Sequence, residues 1–347
     1  CKENQMNGHI KGLDALRAIA VLMVMISHFL EGSSFIYSLN LGHFGVMLFF
    51  MLSGFLISRI ILNEKRKNTP LKTFLKAFYA RRALRIFPLF YLAIGVFSIL
   101  GIGFGDFIWW HITYTTNFLL AKIGSGFMGT HFWSLAVEEQ FYLLYPAVLF
   151  AIPRKSERKL LVSLCLIGIS SRYYFWNIQP ELANYDRLLH TNWDCLCLGG
   201  ILALVDFRKP FQRSIRTILP LGLLACSLLI YGNGLTQKHL LVNLFFAGII
   251  FNILKNQDSA AVTLLEIPPL KYIAKISYGL YVWHYLLWQN IAVFEPLTSA
   301  LNTLHPILQF GHSERMIIAS FSFIFAIASW HLFESPILSL KQRFSYS

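Results

Sequence analysis

Charged residues are scarce in this sequence, and acidic residues are the scarcest. Only 14% of the 347 residues are charged, whereas 56% are hydrophobic, and the 17 Asp and Glu residues are outnumbered by 30 Lys and Arg. Soluble domains carry about 25% charged residues. The low charge, together with recurring apolar runs of about 20 residues, excludes an ordinary soluble domain and predicts a polytopic membrane protein.

Other absences narrow the chemistry. The five cysteines form no C-x-x-C pair, and four of them lie in or beside apolar runs, as small buried residues do: Cys165, Cys195, Cys197 and Cys226. No H-E-x-x-H, P-loop, dinucleotide-binding or G-x-S-x-G motif is present. The alternation typical of barrel strands is absent as well. We therefore predict an all-α protein with no metal site and no disulfide framework.

Ten apolar stretches are long enough, or nearly so, to cross a bilayer as helices. They are 13–30, 42–60, 86–104, 132–152, 160–176, 194–207, 217–232, 240–254, 273–293 and 315–338. With the N-terminus in the cytoplasm, 25 of the 30 Lys and Arg residues fall on the cytoplasmic side, in agreement with the positive-inside rule. We predict about ten transmembrane helices, both termini cytoplasmic, and a single membrane domain over 1–347 without a soluble extracytoplasmic domain.

The net charge of +13 has two possible meanings. Nucleic-acid-binding proteins are basic, but here the basic residues lie in short loops between spans. Orientation in the membrane and contact with anionic lipid headgroups explain these residues. We expect membrane lipids, and no nucleic acid, as partners. The sequence does not set the oligomeric state.

The first span, GLDALRAIAVLMVMISHFLEG, carries ionisable side chains in an otherwise apolar stretch. At 100° per residue, Asp14, Arg17 and His28 share one stripe of the helix, and His28 lies roughly 21 Å from Asp14 along the axis. Asp14 and Arg17 have the spacing of an i, i+3 ion pair at the cytoplasmic end. His28 is either a functional group or a polar residue satisfied by neighbouring helices.

Two further motifs place charges in or near the spans. In FYARRALRIFP, Arg82 and Arg85 are one helical turn apart and could bind phosphate, although the positive-inside rule also explains basic residues at this position. In FWSLAVEEQFYLLYP, Glu138 shares a helical face with Tyr142, and Glu139 points elsewhere. A carboxylate here could orient an imidazole, bind an acceptor hydroxyl or be a structural hydrogen-bonding centre.

Five segments occur in the order and spacing of one enzyme family. The chain resembles the membrane-bound acyltransferase family 3 in GLDALRAIAVLMVMISHF, FGVMLFFMLSGFLIS, RRALRIFPLFY, FWSLAVEEQFYLLYP and ISYGLYVWHY, over about residues 12–290. Members of that family O-acylate cell-surface glycans. The resemblance implies transfer of an acyl group, usually acetyl, from cytoplasmic acyl-CoA to a glycan hydroxyl at the outer face of the bacterial cytoplasmic membrane.

The resemblance also implies roles for individual residues. His28 matches the family's first-span histidine and would be a general base or an acyl relay, with Glu138 or Glu139 orienting its imidazole. Arg82 and Arg85 match the R-x-x-R motif associated with the acyl donor, acetyl-CoA. The positions expected to support the site, all within the matched motifs, are Asp14, Arg17, Trp133 and Ser53.

Two departures from the family pattern bear on the substrate. Met47 in GVMLFF stands where many relatives have an acid. Other relatives carry a fused extracytoplasmic hydrolase-like domain, whereas this sequence ends at Ser347, which favours a standalone glycan O-acetyltransferase. Lipopolysaccharide O-antigen, capsule, exopolysaccharide and other lipid-linked glycans all fit as acceptors.

Some polar residues in the spans are open to structural interpretations. Trp283 and His284 in ISYGLYVWHY are interpreted as interfacial aromatic and packing residues. Trp193 and Asp194, at the start of the sixth span, could line an outer cavity.

The alternative from another functional class is a transporter or glycan flippase, because buried charges can also line a substrate path. That alternative predicts paired half-repeats with broken spans in matching positions, and the sequence shows none. Binding of CoA separates the two functions, since a flippase has no reason to bind CoA.

Overall fold

The computed structural model describes residues 9–30, 39–178, 184–207, 235–290 and 313–346. Every regular element in these ranges is helical, as predicted. The helices are, in chain order, α1 (Leu13–Phe29), α2 (Leu41–Arg66), α3 (Leu71–Ile99), α4 (Ile108–Ile112), α5 (Thr116–Ile123), α6 (Trp133–Ala151), α7 (Glu157–Ile178), α8 (Trp193–Ala203), α9 (Leu235–Lys255), α10 (Ala260–Leu264), α11 (Pro268–Gln289), α12 (Ser313–Ser329) and α13 (Ser335–Ser339).

Nine of the ten predicted spans coincide with described helices, and the remaining one, 217–232, lies outside the described residues. Three continuous helical stretches are long and apolar enough to cross a membrane: Leu41–Arg66, Leu71–Ile99 and Glu314–Arg343. The last of these runs from α12 through a π-helical turn into α13. These helices are those of an integral membrane protein. The count of ten crossings and the cytoplasmic location of both termini stay predictions.

The third span begins earlier than its apolar run predicts. The run predicts a span over 86–104, but α3 begins at Leu71. Phe74 is fully buried, and the stretch up to Arg85 contains neither Gly nor Pro, so the helix continues through its basic residues. Arg82 and Arg85 therefore lie inside a helix, roughly 16 and 21 Å from its start, and not in a cytoplasmic loop.

Helix α2 lies at the centre of the bundle, where it packs against α1, α6, α8 and α9. Glycines allow the closest of these approaches. A Cβ on Gly54 would overlap the carbonyl oxygen of Leu196 on α8 and lie 2.7 Å from its carbonyl carbon. A Cβ on Gly199 would likewise overlap the carbonyl oxygen of Met51. Small residues let α2 and α8 touch backbone to backbone, which fixes α2, the helix that carries Ser53, relative to α8.

A carboxylate outside the spans joins the chain before α1 to the chain before α11. Glu266 accepts the N–H of Gly12 at 2.6 Å and lies 2.9 Å from Nζ of Lys271 and 3.2 Å from Nε2 of His9. Partial burial raises the pKa of this carboxyl, but the hydrogen bonds from Gly12 and Lys271 outweigh it and lower the pKa from 4.5 to about 2. The ionised form of Glu266 therefore stabilises the fold.

We expect Glu266→Gln to lower the unfolding temperature at neutral pH. Because the pKa in the folded state is depressed, the stabilisation is fully present above the ordinary pKa of 4.5 and is lost as the pH falls toward about 2. The difference between the two proteins should therefore shrink below pH 4.5. Thermal unfolding in detergent across this pH range measures this difference.

Asp258→Asn is the control, because Asp258 is exposed and makes no hydrogen bond or ion pair with the described residues. A pH-independent difference would contradict the assignment.

Candidate active site

Three arginines from two helices line one cavity with about 750 Å³ of empty space. Arg17 comes from α1, and Arg82 and Arg85 come from α3. Within the described part of the chain, Arg82 and Arg85 make no hydrogen bond or ion pair, and Arg17 has only Asp14, whose Oδ1 is 4.0 Å from its Nη1. The cavity therefore gathers three guanidinium groups with free donors, an arrangement suited to phosphates.

Aromatic rings hold the guanidinium of Arg82 in place. It lies 4.8 Å from the ring centroid of Tyr142 and 5.8 Å from that of Phe78. Cation–π contacts of this kind orient the group over the ring faces. The N–H donors of Arg82 remain available for a ligand.

Glu138 adds a carboxylate to the same cavity. Ser53 of α2 donates to Glu138 Oε1 at 2.5 Å, Tyr142 donates to the same oxygen at 3.0 Å, and the two hydroxyls are in contact. The predicted residues Ser53 and Glu138 are thus brought together. Glu139 is not among the lining residues, and its buried Oε1 has no hydrogen-bond partner in the described chain. Helical phase separates the two neighbouring acids, as the sequence indicated.

Tyr281 and Ser134 connect the cavity to a second polar centre. Both line the cavity, and their hydroxyl oxygens are 2.5 Å apart. Tyr281 donates its hydroxyl hydrogen to the backbone carbonyl of His131 at 2.7 Å. This pair of hydroxyls stands between the arginines and a group of histidines.

Three histidines meet beyond Tyr281, and we call them the histidine cluster: His28, His131 and His284. His28 comes from α1, His284 from α11, and His131 from the 3-10 turn that precedes α6. The ring centroid of His284 is 5.4 Å from that of His28 and 5.4 Å from that of His131. His131 and His284 are buried, whereas His28 is partly exposed. The ring of Tyr285 lies 4.5 Å from His28 and 5.1 Å from His131.

Of the two interpretations given for His284, packing is confirmed and a position at the membrane interface is wrong, because its side chain is completely buried and its ring lies against that of His28. The sequence carried a signal that could have placed it. Ser277, Tyr281 and His284 recur at helical spacing along α11, so they form a polar stripe on one face of this helix. Ser277 and Tyr281 line the cavity, and His284 continues the same stripe into the histidine cluster.

Helix α1 joins the two centres. Arg17 lies in the cavity and His28 in the histidine cluster, on the common stripe that helical phase predicted and roughly 16 Å apart along the axis. Asp14 and Arg17 form the expected pair at 4.0 Å, and Asp14 also lies 3.9 Å from His9. The sequence predicted Arg17 as the partner of Asp14 and as a residue that supports the site, and the structure places it in one cavity with Arg82 and Arg85.

Trp133 lies at the start of α6, outside the cavity lining. The guanidinium of Arg187 lies 4.5 Å from its ring centroid, and the ring of Phe50 contacts it edge-on at 6.0 Å. Arg187 is held from its other side by Asp186, whose Oδ2 is 3.2 Å from Nε. Trp133 thus packs between α6 and α2, and its ring contacts the guanidinium of the Arg187–Asp186 ion pair.

Asp194 does not line an outer cavity, because its side chain is fully buried. Its Oδ1 is 2.6 Å from Nη2 of Arg172, and its Oδ2 accepts from Asn243 at 2.9 Å. Next to this pair, Nδ1 of His239 is 3.2 Å from Nε2 of His43. Sequence reasoning missed this buried ion pair, because nothing in the sequence shows that α7, α8 and α9 meet there. It ties these three helices together outside the cavity.

No group of three His, Cys, Asp or Glu side chains in the described ranges is arranged to hold a metal ion. Cys165, Cys195 and Cys197 are buried free thiols, as predicted from their apolar surroundings. The candidate chemistry therefore rests on the arginines, Glu138 and the histidine cluster.

The sequence pattern of a family described as an acyltransferase domain matches residues 10–334. The chain is 27% identical over 367 residues to the peptidoglycan O-acetyltransferase OatA of Listeria monocytogenes, covering 95% of this chain and 56% of that protein. It is 30% identical over 376 residues to the putative peptidoglycan O-acetyltransferase YrhL of Bacillus subtilis, covering 96% and 56%. A putative O-acetyltransferase of Staphylococcus aureus is 26% identical over 383 residues, covering 97% and 59%.

The chain thus spans less than two thirds of the length of these relatives. No solved structure matches it. The family match runs from residue 10 to residue 334, so the cavity and the histidine cluster both lie inside the matched region.

Proposed function

Because the chain belongs to acyltransferase family 3, we propose that it transfers an acetyl group from acetyl-CoA to a hydroxyl of a cell-envelope glycan. The observation that carries this proposal is the pairing of the arginine cavity with the histidine cluster on one stripe of α1. The arginine cavity suits an acyl donor that carries phosphates, and the histidine cluster suits proton transfer or nucleophilic attack. The relatives named as peptidoglycan O-acetyltransferases support acetyl as the group and a glycan as the acceptor.

The cavity residues fit the phosphates of CoA. Arg17, Arg82 and Arg85 offer planar, permanently charged donors, and the cation–π contacts of Arg82 leave its N–H groups free. The distance of roughly 16 Å from Arg17 to His28 along α1 is close to the roughly 15–20 Å reach of an extended pantetheine arm. One CoA molecule can therefore bind at the arginines and present its thioester near His28.

The protein's own groups divide the work between binding and proton transfer. Acetyl-CoA supplies the activated acyl carbon as a thioester. A neutral imidazole at His28 removes the proton of the acceptor hydroxyl as that oxygen attacks the acyl carbon, and then delivers the proton to the departing sulfur. The same nitrogen could instead carry the acetyl group from sulfur to hydroxyl. Glu138 holds Ser53 and Tyr142 in place at the cavity wall, next to Arg82.

The charge distribution of the sequence supports one orientation of the helices in the membrane. Basic loops predict that the ends of the helices nearer to Arg82 face the cytoplasm, where acetyl-CoA is made, and that His28 faces outward, toward the glycan. On this orientation the protein lies in the bacterial cytoplasmic membrane, with anionic lipid headgroups on its basic side. The acceptor binds at the outer face.

The proposal is tested with purified protein in lipid vesicles. Acetyl-CoA labelled in the acetyl group is added on the basic-loop side, and soluble peptidoglycan fragments are placed on the other side. Label in an alkali-labile ester on the glycan supports acetyl transfer. Movement of glycan without CoA binding would instead support the flippase, and the proposal would then be wrong.

We expect Arg82→Ala and Arg85→Ala each to raise the KM for acetyl-CoA by about 10–100-fold, since a hydrogen bond to a charged group contributes about 1.5–3 kcal/mol. The corresponding Lys variants should recover part of the affinity, because an ammonium keeps the charge but not the planar fork. Arg81→Ala is the matched control. Arg81 binds the carbonyl oxygens of Lys341 and Phe344 at 3.2 and 3.1 Å, away from the cavity. If the KM for acetyl-CoA were unchanged in both cavity variants, these arginines would not bind the donor, and the positive-inside rule alone would explain their presence.

A further inference from the structure

His284 has one ring nitrogen that holds a hydrogen and one that does not. Its Nδ1 is 2.8 Å from the carbonyl oxygen of Tyr281 and 3.0 Å from that of Leu280. Carbonyl oxygens only accept hydrogen bonds, so Nδ1 carries the hydrogen and Nε2 of the neutral ring carries a lone pair. That Nε2 is buried and has no hydrogen-bond partner in the described chain.

His131 presents a second bare acceptor in the same place. Its Nε2 donates to the carbonyl oxygen of Val282 at 3.4 Å, which leaves the lone pair on Nδ1. This Nδ1 is also buried without a partner among the described residues. Two unpaired buried acceptors beside each other are costly unless a donor is supplied to them.

His28 is the group placed to supply that donor. Its ring centroid is 5.4 Å from that of His284. Elsewhere in the protein, His43 and His239 have ring nitrogens 3.2 Å apart and ring centroids 5.2 Å apart. The separation between His28 and His284 is therefore nearly that of two hydrogen-bonded imidazoles. The side chain of His28 is partly exposed, and a turn of its ring would direct an N–H at Nε2 of His284.

The indole of Trp283 is not placed to donate a hydrogen bond to His284. The N–H of Trp283 is also buried without a partner in the described chain. Its ring, however, packs against Phe97 and Phe325, on the side of α11 that faces α3 and α12. It points away from the histidine cluster.

We propose that His284 is a positioning residue for His28, whose N–H it accepts at Nε2. The bond fixes which nitrogen of His28 holds the hydrogen, so that the opposite nitrogen presents its lone pair to the reacting group. In the catalytic triads of hydrolases, a carboxylate accepts the N–H of the catalytic imidazole and orients the ring in the same way. Here the acceptor is a second imidazole, held by two backbone carbonyls of its own helix. The inference rests on the catalytic role of His28 in the proposed function.

Two substitutions distinguish the effect of losing the hydrogen-bond acceptor from the effect of altered packing. His284→Leu keeps the volume and removes the acceptor, whereas His284→Gln can place its amide oxygen near the former Nε2. We expect His284→Leu to lower kcat by about 10–100-fold, as loss of an orienting partner does. Its KM for acetyl-CoA should be unchanged, because the arginines lie on the other side of Tyr281. His284→Gln should recover kcat to within about fivefold.

A second readout needs no acetyl transfer and so separates this inference from the proposed function. Diethyl pyrocarbonate reacts with the unprotonated nitrogen of a neutral imidazole, and mass spectrometry of the His28 peptide gives the rate. Loss of an acceptor makes that nitrogen less nucleophilic, so His284→Leu should slow the modification of His28 several-fold and His284→Gln should restore it. Simple loosening of the packing would speed it. An unchanged or faster rate in His284→Leu overturns the inference, even where the wild-type protein transfers no acetyl group.

His111→Gln is the matched control. His111 is also buried, its Nε2 has no hydrogen-bond partner among the described residues, and its Nδ1 is 3.0 Å from Thr116 Oγ1, but its ring packs against Phe104 and Phe132 and does not contact His28. Neither readout should change in it. Should the leucine variant fail to fold, ¹⁵N-histidine spectra of the wild-type protein decide the question. A hydrogen on Nε2 of His284 would refute the proposal.

Discussion

Replacing His28 by alanine is expected to lower kcat for acetyl transfer by at least about 100-fold, the usual contribution of a positioned acid–base group. The binding of CoA should be unchanged. The reason for this split is distance, since the arginines that bind phosphate lie roughly 16 Å from His28 along α1. Turnover with labelled acetyl-CoA and calorimetric titration with CoA measure the two quantities.

The control for this experiment is His331→Ala. His331 is exposed and lies 3.2 Å from the hydroxyl of Tyr272, far from the cavity lining. Its turnover should equal that of the wild-type protein. Full turnover in His28→Ala would remove His28 from the chemistry. Loss of CoA binding in the same variant would mean that the two polar centres are not separate.

The second large effect is expected in the packing of α2 against α8. In Gly54→Ala the new Cβ would overlap the carbonyl oxygen of Leu196 and lie 2.7 Å from its carbonyl carbon. These are backbone atoms, so the clash cannot be relieved by turning a side chain, and the helices must separate. We expect a loss of about 3 kcal/mol or more, at the upper end of overpacking effects. The unfolding temperature in detergent should fall by about 4 °C or more.

Gly95→Ala provides the comparison within the same protein. Gly95 also lies inside a long helix, α3, but a Cβ there would meet no atom within 4 Å. Alanine is the better helix former, so this variant should be neutral or slightly more stable. Equal unfolding temperatures for the two variants would show that α2 and α8 do not touch through their backbones.

Several parts of the site could be predicted from local pattern. Helical phase placed Arg17 and His28 on one stripe, and it separated Glu138 from Glu139. Both are properties of one helix, which sequence spacing fixes. Helical spacing also placed Arg82 and Arg85 one turn apart on one helix, but the start of α3 at Leu71 was missed, because hydropathy marks where a chain is apolar and not where a helix begins.

Contacts between helices were beyond local pattern. His284 was interpreted as an interfacial or packing residue with no partner named, and the buried pair of Arg172 and Asp194 was not foreseen. Residues 28 and 284 are far apart in the chain, and no feature of either segment states that α1 and α11 are neighbours. The stripe of Ser277, Tyr281 and His284 on α11 showed only that one face of that helix is polar.

The sequence by itself determined that this is a helical membrane protein, where most of its long helices lie, and which residues share a face within each helix. These features can be predicted because they depend only on the composition and the 3.6-residue periodicity of a single segment. The tertiary structure decided which faces meet. Through the glycine contacts of α2 and the burial of α11 against α1, it collected three arginines into one cavity and placed His284 beside His28. Those juxtapositions depend on packing between distant segments, which no local property of the chain encodes.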